Sequence, residues 1–296
     1  MSEQTTSPVS SPISVDWLAE HLDDPGLVVL DATTHLPIPK EGPYVPESGR
    51  ATFDAEHIPG AHFAELLTDF SDTDAPGPGT VPSSEVAAAA AGALGIGPGV
   101  TVVIYDQHSG FWATRLWWHL RLEGFDDVAV LDGGLTAWKA AGHPVTDRPS
   151  PAPRPAEFVA RRRPELLRST EQVRDAIDDE RTVLVNVLDP ATYRGETSTY
   201  RRRGHVPSSI NVPVSEITGP DGRLRPVEEL RAFFDSHGLL DPAITPVTYC
   251  GGGIAATGTA HALALAGRDD VAVYDGSMTA WAADDDLPLV TGPAPR

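Results

Sequence analysis

The sequence predicts an α/β chain built from two repeated domains, each a parallel sheet covered by helices on both faces. Three observations predict it. Motifs of the first half return in the second half at a nearly constant spacing. Short, wholly apolar runs alternate with helical stretches. A proline-rich segment separates the halves.

The repeat carries the domain plan. EHIPGAHFAEL and TVVIYDQHSGFWATRLWWHLRLEGFDDVAVLDGGLTAWKAAGHPV return as GHVPSSINVPVSEI and PVTYCGGGIAATGTAHALALAGRDDVAVYDGSMTAWAADDDLPL. His57 pairs with His205, Asp106 with Cys250, Asp132 with Asp275 and Trp138 with Trp281, at separations of 148, 144, 143 and 143 residues. A shared period with small insertions marks two homologous domains. The run DRPSPAPRPAEF (147–158) reads as an extended linker. The expected plan is a disordered N-terminus over 1–11, a first domain over 12–146, a linker over 147–166 and a second domain over 167–296.

Each half has the same order of elements. LVVLDA, TVVIYD and VAVLDG in the first half, and VLVNVL, PVTYCG and VAVYDG in the second, read as strands. EVAAAAAGALG, WATRLWWHLRLEG, VEELRAFFDSHG and AATGTAHALALAG read as helices. Strands that are apolar throughout and alternate with helices imply βαβ units and a parallel sheet buried on both faces. Trp117, Trp118 and Trp138 read as core. Ligands of such sheets bind at the carboxyl ends of the strands, which is where Cys250 falls.

Composition narrows the function. At 296 residues, 41% hydrophobic and 22% charged, the chain is an ordinary globular protein of about two domains. A net charge of −20 argues against nucleic acid or an anionic membrane as partner. A small anionic substrate then needs local Arg or backbone N–H groups. One cysteine excludes an internal disulfide and a Cys-rich metal site. MSEQTTSPVSSP lacks the apolar core of a secretory signal, and no apolar run approaches the ~18 residues of a membrane span. A cytoplasmic location is expected.

The single cysteine sits in YCGGGIAATG, between a strand and a helix. The thiolate is the nucleophilic form of a cysteine, and it is favoured where a helix N-terminus and backbone N–H groups converge. Glycines let the loop Cys250, Gly251, Gly252, Gly253, Ile254, Ala255 curl around one atom. The helix expected to start near Ala256 adds its positive end. The bland alternative is a small buried hydrophobe beside an ordinary turn. The matching place in the first half, YDQHSGFW, has neither cysteine nor glycine run, so only one half is equipped for thiol chemistry.

These motifs resemble those of the two-domain rhodanese-like sulfurtransferases, which include thiosulfate and 3-mercaptopyruvate sulfurtransferases. The resemblance runs from about residue 12 to 291. It rests on HIPGAHF, RLWWHLRLEGFDDVAVLDGGLTAW, YRG…GHVPSSINVP and YCGGGIAATG…VAVYDGS. It implies tandem rhodanese-like domains, the first catalytically silent and the second carrying a six-residue loop, Cys250 to Ala255. It implies double displacement: Cys250 takes a sulfane sulfur as a persulfide and passes it to cyanide, a thiol or a thioredoxin-like acceptor. No metal or organic cofactor is implied. Arg194 matches an arginine that binds the donor's anionic end, a task suited to its bidentate fork. Of Arg201, Arg202 and Arg203, Arg203 is favoured for a second such position. Glu65 stands where mercaptopyruvate-type members carry an Asp directed at the Cys loop. Asp275, Gly276 and Ser277 are expected to shape the site, and the recurring His57 and His205 to be structural.

The chain also departs from that pattern. Thiosulfate-type loops carry basic residues after the Cys, and mercaptopyruvate-type loops read Cys-Gly-Ser-Gly-Val-Thr. Here Gly252 and Ala255 replace the hydroxyl residues and no cation is present. A neutral loop favours 3-mercaptopyruvate over thiosulfate as donor. GSMTAW in place of GSW-type sequences predicts a reshaped wall near Met278. Phosphatases and arsenate reductases of related fold have a loop one residue longer, ending in Arg; Ala256 stands there. A non-catalytic binding or sulfur-carrier module is the remaining alternative.

Overall fold

The structure is a computed structural model that describes residues 12–37, 45–75, 77, 79–108, 110–197, 200–219 and 221–295. The segment 1–11, expected to be disordered, lies outside the described residues. The chain divides into two compact units. The first comprises Met1–Thr34, Ser48–Phe70 and Pro82–Arg162; the second comprises His35–Glu47, Ser71–Val81 and Arg163–Arg296.

In the first unit four parallel strands run in the order His62–Phe63, Leu27–Asp31, Thr101–Tyr105, Val128–Val130. The register sets Val28 against Val102 and Val103 against Ala129. The β-branched runs suit a pleated surface covered on both sides: Val102, Val103, Ile104 and Tyr105 are fully buried. One face packs on Leu18, Ile58, Leu135 and Trp138. The Phe111–Leu122 helix buries nearly its whole circumference, Trp117 and Trp118 included. Trp117, Trp118 and Trp138 are thus core residues.

The second unit repeats this plan with five parallel strands, ordered Leu167–Arg168, Ala272–Tyr274, Thr245–Tyr249, Thr182–Asn186, Ile210–Asn211. Its core gathers Leu184, Val247, Ala272, Met278 and Trp281. The two-residue strands are too short for a sequence period to show.

The recurring motifs do the same mechanical work in both units. His57 pairs by Nδ1 with the Phe53 carbonyl at 2.8 Å and stacks on that ring, and His205 does the same with Tyr193, also at 2.8 Å. The Tyr105 and Tyr249 hydroxyls accept the N–H groups of Ile58 and Val206, each at 3.2 Å. The Trp138 and Trp281 indoles donate to Pro144 and Pro288 carbonyls at 2.7 and 2.8 Å. Both histidines therefore anchor turns.

Two boundaries differ from the expected plan. Of the expected linker, 147–166, residues 147–162 group with the first unit and 163–166 with the second. Ala156 N–H donates to Gly92 O at 2.9 Å, Arg161 N–H to Glu123 O at 2.7 Å, and Arg162 pairs with the buried Glu123. The surface beneath is cleared by glycine: a Cβ at Gly92 would lie 2.6 Å from Ala156 O. Ser71–Val81, expected in the first domain, groups with the second unit, where Val81 N–H donates to Asp275 Oδ2 at 2.9 Å. Proline and glycine disclose that such segments are extended, not which surface they cover.

Buried His119 is held well below its usual pKa by desolvation and by the nearby charges of Arg115 and Arg162, the latter paired with Glu123. The folded unit keeps it neutral, while an unfolded histidine protonates near 6.5. Below that pH the unfolded state binds a proton the native state refuses, so stability is lost on acidification, by up to about 1.4 kcal/mol per pH unit. His119→Gln is expected to flatten this slope between about pH 6.5 and 5 in urea unfolding of the two proteins.

Candidate active site

Cys250 follows the Thr245–Tyr249 strand and is a free, buried thiol, 3% exposed. The chain then enters the Ile254–Leu265 helix, two residues earlier than expected. The three glycines have different reasons. Gly253 is the helix N-cap at φ +81°, a left-handed conformation that favours glycine. Gly251 has an ordinary φ, but a Cβ there would come within 2.3 Å of the Tyr200 hydroxyl oxygen. Around Gly252 there is open space.

A second helix, Ser277–Ala283, clamps the loop from the next strand. Cys250 N–H donates to Ser277 Oγ at 3.1 Å, and Ser277 Oγ donates to Tyr274 O at 2.8 Å. Met278 N–H donates to Cys250 O at 3.0 Å. Thr279 donates to Gly251 O twice, from N–H at 2.8 Å and from Oγ1 at 2.7 Å. Ser277 is fully buried and holds φ +48°, left-handed for a residue with a side chain. As expected from its place after the last strand, it shapes the loop. Met278 does not form a wall of the site: it is fully buried among core residues.

The first unit shows what this backbone can hold. Asp106 follows the Thr101–Tyr105 strand and Gly110, at φ +79°, caps the Phe111–Leu122 helix. The Asp106 carboxylate accepts four backbone N–H groups: His108 at 2.8 Å and Gly110 at 2.9 Å on Oδ1, Trp112 and Ala113 at 3.1 Å on Oδ2. Its carbonyl accepts Leu135 N–H at 3.1 Å, as Cys250 accepts Met278. Gly134, at φ +54°, takes the place of Ser277. A strand, a left-handed glycine and a helix N-terminus converge amides on one anion, and here the chain's own carboxylate fills the cradle.

The other expected site residues are placed as follows. Arg194 grips Glu196 with both arms, at 2.7 and 2.9 Å, and that hydrogen-bonded pairing raises the Arg194 pKa and lowers that of Glu196. Arg201 reaches Asp285, and Arg202 caps the end of the Ser277–Ala283 helix through the carbonyls of Trp281, Ala282 and Leu287. Arg203 is exposed, with no hydrogen-bond or ion-pair partner among the described residues. Glu65 accepts the Ser48 hydroxyl and its own Leu67 N–H, the latter at 3.2 Å. Around the start of the loop the structure gathers Ser277 at Cys250, and Thr279 and Tyr200 at Gly251. Nothing in the motif spacing singles out Thr279 or Tyr200. Among the described residues no cluster of His, Cys, Asp and Glu could hold a metal ion, and no helix is long and apolar enough to cross a membrane.

The rhodanese-like domain family matches residues 14–141 and again 169–284. A thiosulfate/3-mercaptopyruvate sulfurtransferase of Arabidopsis thaliana is 33% identical, over 97% of this chain and 79% of its own length. A thiosulfate sulfurtransferase of Cricetulus griseus is 35% identical, over 91% of each. The crystal structure of SseA from Escherichia coli, a 3-mercaptopyruvate enzyme, superimposes with a TM-score of 0.78 at 30% identity, over 90% of this chain and 97% of that one.

Asp106→Ala strands four backbone donors at a helix entrance. The expected loss is ~2–4 kcal/mol, with a smaller loss for Asp106→Asn. Urea unfolding followed by tryptophan fluorescence checks it, since only Trp281 lies outside this unit.

Proposed function

The chain belongs to the rhodanese-like sulfurtransferases, and from that membership we propose that Cys250 is its nucleophile, carrying sulfur as a persulfide from 3-mercaptopyruvate to a thiophilic acceptor. The observation that carries this reading is the cradle. Gly110 and Gly253 are both left-handed caps of the helix that follows, and by that likeness the first amides of the Ile254–Leu265 helix are the proposed counterparts, around Cys250, of those that hold Asp106. A thiolate, or the terminal sulfur of a persulfide, is the anion that loop would stabilise.

The cycle has two steps. The Cys250 thiolate forms a bond to the donor's transferable sulfur, and the donor's bond to that sulfur breaks with its electron pair on the leaving group. An acceptor such as cyanide or a thiol then attacks the outer sulfur and returns the thiolate. Neither step needs a resident metal. The loop residues Gly251, Gly252, Gly253, Ile254 and Ala255 provide backbone and no cation, which favours the singly charged 3-mercaptopyruvate over thiosulfate.

Arg203 and Arg194 are the proposed clamp for the donor's anionic end. Arg203 is uncommitted, and Arg194 must exchange Glu196 for the donor. That exchange costs little, since an exposed ion pair is screened by solvent. Glu65 is assigned to holding its own turn through Leu67 and Ser48.

Steady-state sulfur transfer to cyanide, with 3-mercaptopyruvate and thiosulfate side by side, tests the reading. Wild type is expected to turn over both, with the higher kcat/KM for 3-mercaptopyruvate, and Cys250→Ser neither. The reverse preference makes it a thiosulfate sulfurtransferase. Inertness to both, with no persulfide on Cys250 by mass spectrometry, makes it a non-catalytic binding module. Arg203→Ala is expected to raise KM for the donor about tenfold with kcat little changed, the loss of one charge-assisted contact.

A further inference from the structure

The two candidate donors differ in what they require of the enzyme. When thiolate attacks thiosulfate, a sulfur–sulfur bond breaks and the electron pair leaves on sulfite, a stable anion that needs no proton. When thiolate attacks 3-mercaptopyruvate, the carbon–sulfur bond breaks and the pair moves into an enolate, which becomes pyruvate only by gaining a proton on carbon. The second donor therefore calls for an acid beside Cys250, and the loop Cys250–Ala255 has no side chain that can serve.

Three neighbouring hydroxyls donate to backbone carbonyls. Ser277 donates to Tyr274 O, Thr279 to Gly251 O, and Thr257 to Ile254 O at 2.7 Å. Tyr200 differs in position. Its hydroxyl oxygen occupies the space where the side chain of residue 251 would stand, next in sequence to the nucleophile. Its ring packs against the core cluster of the second unit. The two residues after it are tied down, Arg201 to Ala283 O at 2.8 Å and Arg202 to Leu287 O at 2.8 Å. The phenol is thus held at the loop by its ring packing and by the chain that follows it, and the missing Cβ of Gly251 is what admits it.

We propose that Tyr200 is the acid of the donor half-reaction, its hydroxyl giving the enolate the proton that completes pyruvate. The inference rests on 3-mercaptopyruvate being a donor. Cys250 sulfur bonds to the donor's sulfur, the carbon–sulfur bond breaks, the persulfide keeps the donor thiol's hydrogen, and the carbon takes the Tyr200 proton. Solvent water reprotonates the phenolate. Every atom and electron comes from the donor, the chain and water.

The test compares Tyr200→Phe and Gly251→Ala with wild type, reading kcat for both donors and the solvent deuterium isotope effect. Gly251→Ala leaves the backbone unstrained, since φ there is not left-handed, while its methyl evicts the phenol. The ratio of kcat for 3-mercaptopyruvate to kcat for thiosulfate is expected to fall at least about tenfold in each, within the range of a lost general acid. The double variant is expected to fall no further than the worse single one. The isotope effect on 3-mercaptopyruvate turnover is expected to change in both. An unchanged ratio, an equal fall with both donors, or independent multiplication of the two effects overturns the Tyr200 assignment and leaves the sulfurtransferase reading standing. A wild type that makes no pyruvate from 3-mercaptopyruvate overturns the assignment together with the donor preference.

Discussion

Everything in this protein turns on one piece of backbone geometry: a buried parallel strand, a loop of a few residues that closes on a left-handed glycine, and the helix that the glycine caps. The strand brings its last residue to the sheet edge, the glycine reverses the chain, and the first amides of the helix then point back at the atom left behind. The first unit shows that arrangement with four N–H groups on the Asp106 carboxylate. The second has a turn one residue shorter, with Cys250 where Asp106 stands. A chain at −20 can host an anion here because the stabilising charge is backbone dipole, which counts no formal charge and is held fixed by the fold.

The supporting structure serves that turn. Sheet order, the packing of Trp138 and Trp281, and the histidine-anchored turns are duplicated because both units must hold the strand end in place. What differs is local: aspartate for cysteine, glycine for serine, and an added tyrosine. At the strand end the two units differ by these few side chains and one residue of loop, on sheets that share the order of four strands.

Much of this was legible in the sequence. Apolar runs such as TVVIY and TPVTY fixed the central strands because full burial on both faces leaves no polar alternation to misread. The repeat located the cradle twice, and the lone cysteine marked which copy holds sulfur. Other features were hidden for physical reasons. Ser71–Val81 and 147–162 hold to their units through scattered hydrogen bonds, an ion pair and, for 147–162, a glycine-cleared surface, which leave no periodicity. Arg202 looks like its neighbours in Arg201-Arg202-Arg203, yet it caps a helix while Arg203 stands exposed. Tyr200 could not be singled out, because its significance comes from an atom that Gly251 lacks.

Ser277 carries a consequence of its own. At φ +48° a serine is strained by ~1–3 kcal/mol, and glycine, the residue found at the matching position of the first unit, would relieve most of it. Only the hydroxyl that receives Cys250 N–H gives serine an advantage there. This is a position where stability and activity select different residues. A search for hardier variants of this chain, scored on melting temperature alone, would be drawn to glycine and would dismantle the hydrogen bond that supports Cys250.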